Sequence, residues 1–143
     1  MQTVTGTVSA DPDTCWRLFT DVSLLTSWVP GLRAAQIITG TRALPSEIHF
    51  EFAGAQSESA YTLVYSYNKA DREVRWEPKL GRQHGVTGFV RFDPDPAGTR
   101  VTYGLQHGEG RPAADRETGA VQRLLDAFVA RVTELVDTNR AFR

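Results

Sequence analysis

Cysteine is almost missing from this chain, and its one copy, Cys15, excludes an intrachain disulfide framework. Set between Thr14 and Trp16, in what reads as the first turn of a helix, that thiol is expected to be an inert core residue. Long apolar runs are missing too. Nothing approaches the roughly eighteen residues of a membrane span. Met1-Gln2-Thr3-Val4 lacks the basic and apolar regions of a signal peptide, so a cytoplasmic location is the expectation. Charge of one sign is also absent: 16 Lys and Arg face 17 Asp and Glu, for a formal net charge of −1. Such a balance exerts no long-range pull on polyanions, which argues against nucleic acid or an acidic membrane surface as the main partner. Internal repeats and low-complexity segments are lacking as well.

Catalytic signatures are equally scarce. There is no Gly-x-Ser-x-Gly stretch, and Cys15 has no recognisable base beside it. Gly108-Glu109-Gly110 lacks the strand–turn–helix context and the lysine of a phosphate cradle. The three histidines, His49, His84 and His107, lie on different expected strands or loops. They have none of the close pairing or added thiolates of zinc ligation, so they read as solvent-facing. No metal and no cofactor is expected.

What the chain does have is 143 residues, 41% of them apolar, enough for a single domain over 1–143 that buries two-thirds or so of its unfolded surface. The stretch from Ala113 to Arg143 organises the rest. Its apolar residues Val121, Leu124, Leu125, Phe128, Val129, Val132, Leu135 and Val136 form one stripe roughly 140° wide at helical spacing, with Phe142 at its edge. A helix that long would span roughly 45 Å. Pro112 could sit at its first position, but Gly119 places the regular part from about Thr118 onward.

The remainder reads as short elements. Thr3 to Ser9 is a first strand, with Val4, Gly6 and Val8 on one side. Asp11 and Pro12 supply an N-cap and first-turn proline for a short helix carrying Trp16 and Phe19. Asp21 or Ser23 caps a second one that runs through Leu24 and Leu25 to Trp28 and stops at Pro30-Gly31. Six strands follow, over residues 34–39, 47–53, 59–67, 73–77, 86–92 and 99–105, with turns at 68–71 and 93–98 and a loop at 78–85. Period-two alternation gives each one buried and one wet face, the antiparallel pattern. Ile48, Phe50 and Phe52 face one way; His49 and Glu51 face the other. Arg91 and Glu77 fall outward by the same rule, and a one-residue register slip would reverse all of these.

The order of elements, with the opening strand and Ala10-Asp11-Pro12, Asp21 through Trp28-Val29-Pro30-Gly31, Val74-Arg75-Trp76, Gly88 to Phe92, Gly98 to Tyr103 and the closing helix, resembles the START-related SRPBCC superfamily. Its bacterial polyketide cyclase/dehydrase-like and lipid-transport-like members are the nearest in character. The resemblance implies an α+β helix-grip fold: a curved seven-stranded antiparallel sheet wrapped around a long C-terminal helix, with two short helices after strand 1. It also implies an internal cavity for a hydrophobic or aromatic small molecule, lipid-, polyketide- or isoprenoid-like, between sheet and helix. It transfers no mechanism, because fold is not function.

Aromatics on inward faces are the candidate ligand contacts: Trp28, Phe50, Phe52, Tyr65, Trp76, Phe92, Tyr103 and Phe128. Any one of them has an ordinary reading as core; as a set, in a fold that leaves space, some would line it. Tyrosines carry the most interest, since a buried hydroxyl wants a partner. Rival readings are a polyketide cyclase or aromatase-type enzyme, with Tyr65, Tyr103 or an inward His49 moving a proton, and a protein-interaction module of the co-chaperone-like or translation-associated kind. Membrane insertion is not expected, and an edge strand leaves room for a homodimer. Whether residues 108–116 form a lid is open at this point.

Overall fold

The computed structural model describes residues 1–53, 60–80, 85–108 and 119–141, with side chains as far as 137. Strand β1 (Gln2–Val8) leads into helices α1 (Pro12–Thr20) and α2 (Val22–Trp28). Strands β2 (Leu32–Gly40), β3 (Pro45–Phe52), β4 (Ala60–Asn68), β5 (Glu73–Pro78), β6 (Val86–Asp95) and β7 (Gly98–His107) follow, and α3 (Ala120–Ala141) closes the chain. All seven strands form one antiparallel sheet in the order β1-β7-β6-β5-β4-β3-β2. β1 reaches β7 by a long connection, while every other neighbour is joined by a hairpin-type link. The sheet therefore has two edges, β1 and β2.

Local chemistry sets the short helices. Asp11 caps α1, its carboxylate accepting from Thr14 N at 2.9 Å, and Pro12 takes the first helical position where no N–H is needed. Hydrogen bonding from Thr14, by its side chain first and its backbone N–H second, lowers the Asp11 pKa below the ordinary carboxylate value. Asp21 caps α2 in the same way, accepting from Ser23 N at 3.0 Å. The buried Thr99 hydroxyl donates to Ala10 O at 2.6 Å and so pins β7 to the β1–α1 corner. Cys15 is fully buried beside that corner, its thiol only 4.0 Å from the same carbonyl, as an inert core position should be.

α3 lays its stripe on the sheet. Val121, Leu125, Phe128 and Val132 are enclosed, and Leu124, Val129, Leu135 and Val136 on the flanks are half-buried. Gly6 of β1 lets Leu125 come close, since a Cβ there would stand 3.2 Å from Leu125 Cδ2. The apolar faces of β1, β3, β4, β5, β6 and β7 all turn toward this helix. Outside, charges pair along the sheet: Arg75 with Glu73 at 3.1 Å, Arg91 with Asp93 at 3.0 Å and Lys79 with Glu47 at 2.8 Å.

Several expectations need adjusting. β6 does not stop at Phe92; it continues through Asp93, Pro94 and Asp95, paired with Arg100, Thr99 and Gly98, leaving a two-residue turn at Pro96 and Ala97. Pro94 is tolerated because its ring nitrogen faces the side where β5 has ended. The last bond there runs from Phe92 N to Arg72 O. Gly98 holds φ +135°, and a side chain on it would strike Val8 O, so only glycine closes that turn. β2 is longer than 34–39 because register shifts interrupt its alternation. Gly119 precedes α3 rather than lying within it, its carbonyl accepting from Arg123 N. The start at Pro112, Phe142, His84 and the lid at 108–116, apart from Gly108, fall outside the described residues.

Candidate functional site

The eight aromatic candidates separate into two groups, and Phe19 of α1 is what separates them. Its ring stands 5.6–6.0 Å from those of Trp28, Trp76, Phe92, Tyr103 and Phe128. Trp28 and Phe92 also meet Phe128, at 5.2 and 5.9 Å. These side chains are enclosed and fill one another's space, as a packed core does. Trp28, Phe92 and Phe128 thus sit within this packed cluster.

The second group lines the inner side of β3 and β4. Phe52 stacks on Tyr61 at 5.6 Å, Phe50 lies 5.9 Å from Tyr61 and 6.5 Å from Tyr65, and Tyr65 stacks on Tyr67 at 6.3 Å. Phe50 is enclosed, but Phe52, Tyr61, Tyr65 and Tyr67 are half-buried although all sit on the inner face. Trp76 joins the two groups, 5.7 Å from Tyr65 on one side and 5.7 Å from Tyr103 on the other. Gly88, opposite Trp76 in β6, makes room for that indole, since a Cβ there would lie 2.6 Å from Trp76 Cε2 and Cζ2.

The phenols differ in their partners. Tyr67 donates to Pro45 O at 2.7 Å. Neither the Tyr65 nor the Tyr103 hydroxyl has a hydrogen-bond partner among the described residues, yet neither counts as a fully enclosed orphan, so both keep some accessible surface. The one fully enclosed side-chain nitrogen or oxygen without a partner, among the described residues, is Trp28 Nε1. Burial raises the Tyr65 pKa well above the usual phenol value, and the neighbouring Tyr103, Tyr67 and Tyr61 add to the effect. Burial likewise pushes Tyr67 and Tyr103 up. All three are therefore neutral hydrogen-bond donors at any ordinary pH, not bases.

Acid–base candidates lie elsewhere. His49 points outward, with Nδ1 3.0 Å from Thr62 Oγ1 and Nε2 3.7 Å from Glu51, so the inward alternative for it does not hold. Arg91 and Glu77 are outward as expected. His107 departs from its solvent-facing reading: β7 runs two residues beyond Leu105, and His107 shares the inward parity of Tyr103 and Leu105 at the sheet's rim, half-buried and engaged by another residue. Among the described residues no group of His, Cys, Asp and Glu is placed to hold a metal ion, and no helix is long and apolar enough to cross a membrane. Sequence reasoning placed Phe19 on the first short helix and Tyr61 and Tyr67 within the strand over 59–67, without singling them out. The run of alternate tyrosines in β4 was the available signal.

Comparison with known proteins adds the family. The profile of the family described as polyketide cyclase / dehydrase and lipid transport matches residues 1–137. Among curated proteins none matches the chain. Solved structures with the same fold include a protein of Thermus thermophilus, 16% identical, covering 94% of this chain and 97% of its own, with a TM-score of 0.72. The Zhui aromatase/cyclase of a Streptomyces species is 18% identical over 99% of this chain and 94% of its own, with a TM-score of 0.67. A START superfamily protein of Mycobacterium smegmatis is 18% identical over 93% and 97%, with a TM-score of 0.66.

Proposed function

This chain belongs to the polyketide cyclase / dehydrase and lipid transport family, and from that premise we propose that it binds a hydrophobic or aromatic small molecule between the β3–β4 part of the sheet and α3. The observation that carries this reading is the half-buried state of Phe52, Tyr61 and Tyr65 on a face turned to the interior. Rings that point inward and still keep accessible surface border space that α3 does not fill. Pockets of small ligands combine such aromatic lining with a few placed polar groups, and the Tyr65 and Tyr103 hydroxyls, without a hydrogen-bond partner among the described residues, are of that kind.

The Streptomyces neighbour is described as an aromatase/cyclase, and a catalytic role here would need a base within reach of the substrate. The inner phenols, held protonated, serve as donors and can polarise a carbonyl but cannot take its α-proton. On the described strands His107 is the one inner-face base, and it sits at the rim engaged by another residue, which favours binding over proton abstraction. A protein-docking role receives less support: exposed large apolar residues among those described are the scattered Met1, Ile38 and Leu80, and the outer face is laced with ion pairs.

Native mass spectrometry with thermal-shift screening against lipids, aromatic polyketides and isoprenoids tests the reading. A bound mass and a raised Tm with at least one class are expected. Failure of every class to bind, together with a filled interior in a crystal structure, would contradict it.

A further inference from the structure

Resting on the binding site proposed above, the kind of molecule that fits it follows from which polar groups face inward. Along the described strands the inner positions carry no Lys, Arg, Asp or Glu; every such residue on them alternates outward. The inner polar side chains are the four tyrosines, Thr99, Gln2 and His107. Thr99 is committed to Ala10 O, Tyr67 to Pro45 O, and Gln2, Tyr61 and His107 each engage another residue. Arg131, the half-buried cation of α3, is turned to the α2 seam, where it meets Ser27 Oγ at 3.1 Å and Glu134 at 3.4 Å. What stays unspent on the described strands is a pair of hydroxyl donors, Tyr65 and Tyr103, on either side of Trp76.

Burying an ion without a counter-charge costs far more than burying a neutral polar group that finds a hydrogen-bond partner. A carboxylate or phosphate headgroup therefore has no berth on this wall. A donor left without an acceptor is also unfavourable, so a pure hydrocarbon fits less well than a molecule offering a lone pair. We infer that the ligand is a neutral, aromatic or polycyclic molecule whose carbonyl or ether oxygen accepts hydrogen bonds from Tyr65 and Tyr103 beside the Trp76 indole. Anionic lipids and free fatty acids find no counter-charge on the described inner strand positions and so fit the site less well. Because burial and mutual repulsion keep the phenols protonated, their donor role persists across the whole physiological pH range.

Matched probe pairs test this by quenching of tryptophan fluorescence, with circular dichroism confirming that each variant is folded. The first pair, 2-acetylnaphthalene and 2-ethylnaphthalene, differs in the acceptor. The ketone should bind about three- to tenfold tighter per hydrogen bond gained, and the advantage should vanish in the folded Tyr65→Phe, Tyr103→Phe double variant. The second pair, dodecanoate and dodecanamide at pH 8, differs in charge, and the amide should bind at least about tenfold tighter. Equal or tighter binding of the carboxylate, or a ketone preference that survives the double variant, overturns this inference while leaving a hydrophobic site intact. Absence of binding by all four probes overturns the site itself.

Discussion

Replacing Phe19 by alanine and, separately, Phe52 by alanine places the boundary between core and binding wall under direct test. Phe19 is 6% exposed and meets five other rings. Nothing can slide into the space its ring vacates without breaking those contacts, so the full large-to-small cost of about 3–5 kcal/mol applies. For a domain of this size each kcal/mol moves Tm by about 3–4 °C, which gives a loss of about 10–20 °C. Phe52 keeps accessible surface and stacks on Tyr61 alone within the described set. Removing it forfeits about half of a phenylalanine's burial, roughly 1 kcal/mol, but it strips the wall of a contact ring. Urea denaturation followed by far-ultraviolet circular dichroism measures both, and titration with 2-acetylnaphthalene measures what Phe52→Ala does to binding. Phe19→Ala should lose stability, whereas Phe52→Ala should stay stable and bind about tenfold more weakly. Equal destabilisation by the two substitutions would refute the division between packed core and open wall.

Gly88→Ala brings a methyl to within 2.6 Å of the Trp76 indole. It should cost about 1–3 kcal/mol and shift the tryptophan emission, read by urea titration and fluorescence. Thr99→Val keeps the shape but deprives Ala10 O of its 2.6 Å donor. A loss of about 1–3 kcal/mol in the same denaturation assay is expected, with Thr99→Ser losing less. The buried phenols make a prediction about alkali. Their folded pKa values lie above the unfolded value near 10, so their contribution is fully present below pH 10 and is lost as pH rises beyond it. Stability should fall above pH 10 by up to about 1.4 kcal/mol per pH unit for each of them, and Tyr65→Phe should flatten the slope. A slope unchanged in Tyr65→Phe counts against the inward placement of that ring.

Much of this fold was legible because alternation in a half-wet sheet is a strong signal. Val74-Arg75-Trp76 and Val101 to Leu105 could bury one set of side chains only in the register that the structure adopts. Capping was equally local: Asp11 with Pro12 and Asp21 needed no tertiary information to be read. Asp93-Pro94-Asp95-Pro96 misled, because proline chemistry reads as a turn unless it is known that β5 ends and leaves the Pro94 side unpaired. β2 was read short for a similar reason, since its bulges break the period on which strand detection relies. Within the site, the sequence could place eight aromatics inward but could not divide them. That division depends on Phe19, which α1 carries into the centre from a distant part of the chain. His107 was missed because the last strand was read as ending at residue 105, two residues short of where β7 stops.

Aromatic side-chain NMR of the ¹³C-labelled protein, recorded during titration with 2-acetylnaphthalene, addresses the central claim most directly. The account predicts the largest shifts and intermolecular NOEs at Phe52, Tyr61, Tyr65 and Tyr103, with the packed Phe92 little changed. Phe89, held on the outer face beside Arg75 at 5.6 Å, should not respond. Shifts concentrated at Phe89, with the inner tyrosines silent, would contradict it.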